Sequence, residues 1–417
     1  MELSHVFFQM ACKRSLLLIL SAFAGSAWLL EAPLQAAAPA KPAGQPEEPW
    51  SAAKPGPWGQ LETTPIYIEA PDYLMANVQK PNSIPQWCFP GANEASLRQL
   101  FARAGLPDAM QKRLFDPRRT LTQGEVITLF PTVPDLEAMT PEMRGVVYPE
   151  LAKTPLNEFH HDPIFIIGGI DEWLRDTGLP AEIQALIRKM TYRRGRALVF
   201  SDLRTLLTHA KNEDEVQQIC KSATRTRTLM AYLKIPADGV KKDIIDYWTG
   251  GYPDNDSLPL LHSLTERPYG STLDITHLLP PLGRRRLYTY PTAELATFGR
   301  MPDCHWTSLN FFSLARQEYF LDTRLASQRV IERYFTIPPP YRFGDVLFFN
   351  NPAGETIHSC VFIADDIVFT KNGENSLAPW ILMRLGDVQD IYLLTSQFNM
   401  QGYREKPAES RVTSTSR

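Results

Sequence analysis

Apolar positions along the chain follow two different spacings. Between residues 61 and 250 they recur mostly at helical intervals. Leu97, Leu100, Phe101 and Ala104 fall on one face of the segment Ala95–Ala104, and Gly105 stops it. Glu182–Met190 repeats the pattern after Pro180, and Leu203–Ala210 and Glu213–Leu233 continue it, with turn residues between them. This region reads as a mostly helical domain without an internal repeat. From residue 251 to 403 short apolar runs alternate with Pro and Gly turns. Val346–Phe349, Ser359–Ala364, Ile367–Thr370 and Ile391–Leu394 read as β-strands. One helix is predicted ahead of them, from Cys304 to about Phe320, with Cys304, Ser308, Phe311 and Ala315 on one stripe. A helix on a small antiparallel sheet, behind a helical region, gives an α+β class.

The flanks differ from both regions. Lys13-Arg14, the apolar run Leu16–Leu30 and the small residues Ala36–Ala40 predict a secretory signal peptide over residues 1–38. The apolar run is shorter than the ~20 residues a span needs, with an uncleaved anchor as the alternative reading. Met10 is an alternative start. This leader places the protein outside the cytoplasm, secreted or periplasmic, with no transmembrane span once it is removed. Residues 39–60 are Pro/Ala-rich and read as a disordered linker, and residues 404–417 as a loose polar tail.

With 417 residues, 44% of them apolar and 11% aromatic, the chain can bury two or three cores. A net charge of -3 excludes the basic footprint of a nucleic-acid-binding protein. Arg193-Arg194 with Arg196, and Arg284-Arg285-Arg286, read as solvated turns. The 35 prolines imply long ordered loops as well as the linker. Beyond the leader, Cys88, Cys220, Cys304 and Cys360 fit no zinc spacing; either Cys88 and Cys220 form a bridge or all four are buried thiols. His160-His161-Asp162 reads as a turn positioning the apolar run Ile164–Ile167, since no further metal ligands are evident. Asp171-Glu172-Trp173 suits a first helical turn. Neither a metal nor a cofactor is implied.

Candidate chemistry centres on Cys304. At the first turn of a helix, unpaired N–H groups and the helix dipole favour a thiolate. His358, entering a strand after the loop Asn350–Thr356, is the candidate base. It would accept the thiol proton and later protonate a leaving amine. A third polar group should hold its second ring nitrogen. Thr370 and Asn372 share one face of the next strand and Lys371 takes the other; the amide oxygen of Asn372 suits the role. His305, adjacent in the helix, should point about 100° away from Cys304 and pack or face solvent. A cysteine and a histidine on apolar elements also read as plain core residues.

Asp303-Cys304, Arg342-Phe-Gly-Asp-Val-Leu-Phe-Phe349 and His358 ahead of an apolar strand resemble the NlpC-type cell-wall cysteine peptidases of the papain-like superfamily. The resemblance spans about residues 280–400. It implies Cys304 as nucleophile and His358 as base. By count the third position falls at Thr370, with Asn372 two residues on. Tyr290 matches an upstream tyrosine near the oxyanion site and is equally readable as a packing aromatic. Several positions depart from the family. His305-Trp306-Thr307 replaces Ser-Gly-Leu, Ser359-Cys360 replaces Val-Gly, the third residue is not histidine, and Pro291–Arg300 replaces a Gly-Gly segment. The function implied is an exported hydrolase cleaving an amide in peptidoglycan stem peptides. The alternatives are a non-catalytic envelope protein that binds or scaffolds through the same fold, and a structural protein acting through its helical half.

Overall fold

The computed structural model describes residues 16–17, 50–75, 85–250, 255–266, 270–296, 299–394 and 396–406. Apart from Leu16–Leu17, the leader lies outside the described residues, as do the linker before Trp50 and the tail after Lys406. The protein is a mixed α+β structure with several antiparallel sheets.

The largest sheet runs in the order Tyr334–Ile337, Asn399–Glu405, Val346–Asn350, Glu355–Ala364, Ile367–Lys371, Trp380–Arg384, every neighbouring pair antiparallel. Leu16–Leu17 pairs with Thr356 and Glu355. The strands Val346–Asn350, Ile367–Lys371 and Trp380–Arg384 are nearly continuous apolar runs because both faces are covered there. One face, with Val346, Phe348, Val361 and Phe369, packs in a core with Trp306, Leu309 and Phe311. The opposite face, with Leu347, Phe349, Cys360, Val368 and Ile381, packs with Val388 and Tyr392 of the helix Leu385–Leu393. The outer edge at Trp380–Arg384 is closed by backbone and hydroxyl contacts. Tyr288 N donates to Trp380 O (2.8 Å) and Trp380 N to Thr289 O (3.1 Å). The Thr228 hydroxyl donates to Leu382 O (3.1 Å) and accepts from Leu382 N (3.0 Å).

Thr228 lies on the strand Thr226–Ile235, the centre of a four-stranded sheet ordered Ser271–Asp274, Thr226–Ile235, Leu61–Ile68, Ser51–Ala52. Leu61, Leu229, Leu233 and Trp248 share the core that holds the cysteine helix. Sequence boundaries at residue 250 therefore do not separate the cores. Two three-stranded sheets lie among the helices of residues 87–200, so that region is mixed rather than mostly helical.

Several expectations are corrected. The helix from Cys304 ends at Leu309 instead of running to Phe320. Asn310 stops it: its amide bonds Trp306 O, Gln317 O and Gln317 N, folding the following loop back. Ile391–Leu394 is not a strand; Val388 and Tyr392, four apart, are the buried stripe of a helix. The segment Glu213–Leu233 is split. A helix covers Glu213–Ala223, and then Leu229, Ala231, Leu233 and Ile235 alternate into the core as a strand. Residues 50–60 are not a disordered linker, because Ser51–Ala52 pairs with Thr63 and Glu62 and Trp58 packs edge-on to Tyr247 and Phe362. The tail begins later than residue 404, since Arg404 and Glu405 complete a strand and Lys406 N bonds Arg333 O. Cys88, Cys220, Cys304 and Cys360 are all buried and none is in a disulfide, so no Cys88–Cys220 bridge forms.

The segment Arg342–Asp345 turns into the central strand. The Asp345 carboxylate accepts from Arg342 N (2.6 Å) and from two nitrogens of Arg404 (both 2.7 Å). Gly344 has φ +87, and a Cβ there would lie 2.2 Å from the Phe312 ring. Phe312 is half-exposed and can swing away, so the backbone conformation sets the penalty. Gly344→Ala should cost about 1–2 kcal/mol, read as a lower urea midpoint at unchanged slope.

Candidate active site

Asp303 caps the cysteine helix. Its backbone is extended and its side chain accepts from Trp306 N (2.7 Å). Thr307 Oγ1 donates to Asp303 O (2.6 Å) and accepts from Trp380 Nε1 (2.9 Å), which fixes the helix to the sheet. Ser359 holds the same helix from the neighbouring strand. Its hydroxyl donates to Cys304 O (3.2 Å) and lies 3.1 Å from Ser308 Oγ and 3.0 Å from His305 Nδ1. The backbone of Cys304 thus sits against the residue that follows His358. Cys304 itself is fully buried.

A β-bulge sets the direction of His358. Phe349 pairs with His358 but Asn350 pairs with Thr356, so Ile357 is an extra residue in its strand. Ser359 then faces the cysteine helix, and the His358 ring faces the other side of the sheet. There it stacks on Tyr392 with centroids 4.1 Å apart and lies 5.4 Å from the ring of Phe349. Thr370 Oγ1 is 3.1 Å from His358 Nε2. With Nε2–H donating to that hydroxyl, Nδ1 carries the lone pair; this tautomer is assigned from the bonding. Nδ1 is buried and has no hydrogen-bond partner among the described residues. The ladder to the strand Ile367–Lys371 runs from Ala364 only as far as Val361, so it does not extend beside His358.

Burial drives the electrostatics. It pushes the His358 imidazole well below its ordinary value, and the neighbouring His305 pushes it further. His305 is lowered chiefly by burial as well. Both rings are therefore neutral near pH 7, and an imidazole held so low is a weak acceptor for a thiol proton. Burial pushes the Cys220 thiol up to about 12 and the Cys360 thiol higher still, which makes these two inert.

Of the residues singled out in the sequence, the structure joins His358 to Thr370 and brings Ser359 to the backbone of Cys304. Asn372 is not joined to the ring; its amide nitrogen donates to Met383 Sδ (3.2 Å) and its oxygen is buried without a partner. Tyr290 donates to Ile68 O (3.2 Å) and packs in a core with Leu377 that does not include Cys304. It acts as a packing aromatic. His305 packs inward, roughly parallel to the ring of Phe348.

The chain matches no known protein family, no curated protein and no solved structure. Among the described residues no three His, Cys, Asp or Glu side chains gather as a metal site. His160 and His161 end a short helix, Glu158–His161, and His161 Nδ1 lies 2.8 Å from Ala152 O.

Sequence reasoning missed two parts of this neighbourhood. Tyr392 was expected on a strand, yet its helix brings it over His358. Arg194 was expected in a solvated turn; instead it is partly buried and donates to His160 O (3.1 Å) and Leu394 O (3.2 Å). Both residues line a cavity of about 670 Å³ that also reaches Asn372. No local signal marks either residue, because their neighbours come from distant segments.

Proposed function

We propose that the protein is an exported cysteine hydrolase of NlpC-like, papain-like type, with Cys304 as nucleophile and His358 as general base. The observation that carries this reading is His358. Its ring is neutral, held at Nε2 by Thr370, unbonded at Nδ1, and one residue from the serine bonded to the carbonyl of Cys304. Because the His358 ring faces away from the cysteine helix, the reaction requires a rearrangement that turns the ring towards the Cys304 sulfur. The thiol proton passes to Nδ1 and sulfur forms a bond to the amide carbonyl carbon. The C–N bond then breaks as the imidazolium protonates the amine, and water, deprotonated by the same ring, cleaves the thioester. Peptidoglycan stem peptides are the substrate class this reading favours, and an exported protein would meet them. Among the described residues no helix is long and apolar enough to cross a membrane.

Incubation with muropeptides, followed by mass spectrometry, tests the reading. Cleavage lost in both Cys304→Ala and His358→Ala supports it; cleavage that survives either change rejects it. Thr370→Val should lower kcat about tenfold, the worth of one hydrogen bond of about 1.4 kcal/mol, with KM nearly unchanged. A second reading, a non-catalytic binding or scaffolding protein of the cell envelope, is favoured by burial, since Cys304 and His358 both have 0% exposure. Iodoacetamide labelling of Cys304 against pH separates the two: a thiol that stays unreactive up to pH 8.5 supports the second.

A further inference from the structure

We propose that the cavity between the helical half and the far face of the large sheet binds a carboxylate-bearing ligand with an apolar body. Its volume, about 670 Å³, is that of a site for a small organic molecule. Trp173, Ile381 and Met383 supply apolar wall, while Arg194 and Arg225 bring two guanidinium groups to the lining. Arg225 donates to Trp173 O (3.1 Å) and Arg175 O (2.8 Å), and its Nε is buried without a partner. Arg194 bonds only the two backbone carbonyls already described. Neither has an ion pair among the described residues. Arg227, beside them, is by contrast neutralised by Glu172 at 2.7 Å.

Two guanidinium groups partly withdrawn from water without a direct ion pair are costly, and a carboxylate would offset that cost with charge-assisted bonds. Burial lowers the pKa of both, although the nearby carboxylates, Asp162 at Arg194 and Glu69 and Asp176 at Arg225, act the other way. The partnerless Asn372 oxygen adds one acceptor to the lining, suited to an N–H or O–H of the same ligand. The site does not depend on Cys304 chemistry.

Binding is measured by calorimetry on the full chain carrying Cys304→Ala, so the result is independent of whether the thiol reacts. Two carboxylates serve as probes, dodecanoate and N-acetyl-phenylalanyl-leucine, each against a neutral partner, dodecanol or the peptide amide. At least one acid should bind, at least tenfold more tightly than its neutral partner, and which one distinguishes an acyl from a peptide ligand. Arg194→Gln and Arg225→Gln should each weaken it tenfold or more. The exposed control Arg188→Gln should leave it unchanged. Arg→Lys at the same two positions keeps the charge and serves if a glutamine variant loses its fold; intermediate weakening is then expected. Absence of binding by both acids, equal binding of acids and neutral partners, or wild-type affinity in the Arg variants overturns the proposal.

Discussion

Arg144→Met is expected to destabilise the protein by on the order of 3–5 kcal/mol, the cost of breaking a buried ion pair from one side. Arg144 is fully buried. Its Nε donates to Asp202 Oδ2 (2.7 Å), and its other nitrogens to Met139 O (2.6 Å) and Leu136 O (2.7 Å). The Tyr148 hydroxyl donates to the remaining Asp202 oxygen (2.7 Å). Methionine fills the space but leaves a buried carboxylate with one neutral partner and takes a donor from the carbonyls of Met139 and Leu136. The double change Arg144→Met with Asp202→Leu should recover part of the loss, because the uncompensated charge goes with it. Urea unfolding measures both. A loss below about 1 kcal/mol for the single change would show that Asp202 finds water or another cation.

Stability should also fall as pH drops below about 6.5, through three histidines, the partly buried His160 and the buried His305 and His358. In the unfolded chain each imidazole takes a proton near pH 6.5. Burial lowers His160 to about 4, His305 by a lesser margin, and His358 well below its ordinary value. Below pH 6.5 the unfolded state therefore binds more protons, and each ring removes about 1.4 kcal/mol per pH unit until its own folded value is passed. For His160 that window runs from 6.5 to about 4. Asp387 works the other way at lower pH, because burial raises its carboxyl. Urea midpoints from pH 7.5 to 5.0 should fall steadily, and His160→Phe should flatten the slope by one proton. A midpoint independent of pH over that interval would mean that these rings stay hydrated.

The parts legible in the sequence were those carried by local pattern. The strands at Val346 and Ile367 and the helix over Glu94–Arg103 follow from the spacing of apolar residues. Cys304 at a helix start was legible too, as Asp303 caps it. The face taken by His358 was not. One extra residue, Ile357, decides it, and nothing in Thr356-Ile357-His358 marks a bulge. Thr370 rather than Asn372 holds the ring because strand register, not side-chain aptitude, determines which oxygen arrives. Arg144–Asp202 and Arg194 depend on contacts across dozens or hundreds of residues, which no local window contains.

The closure of the large sheet at Trp380–Arg384 bears on how copies of this chain behave towards one another. An unpaired strand margin is a template for foreign backbone, and misassembly starts there. Tyr288, Thr289 and the Thr228 hydroxyl occupy the outward groups of Trp380 and Leu382, so on that side a second chain finds no vacant donors or acceptors at these two residues. Among the described residues the strand at the opposite end of the order is Tyr334–Ile337, only four residues long. At Trp380 and Leu382, strand addition by a second chain is therefore blocked by the protein's own groups.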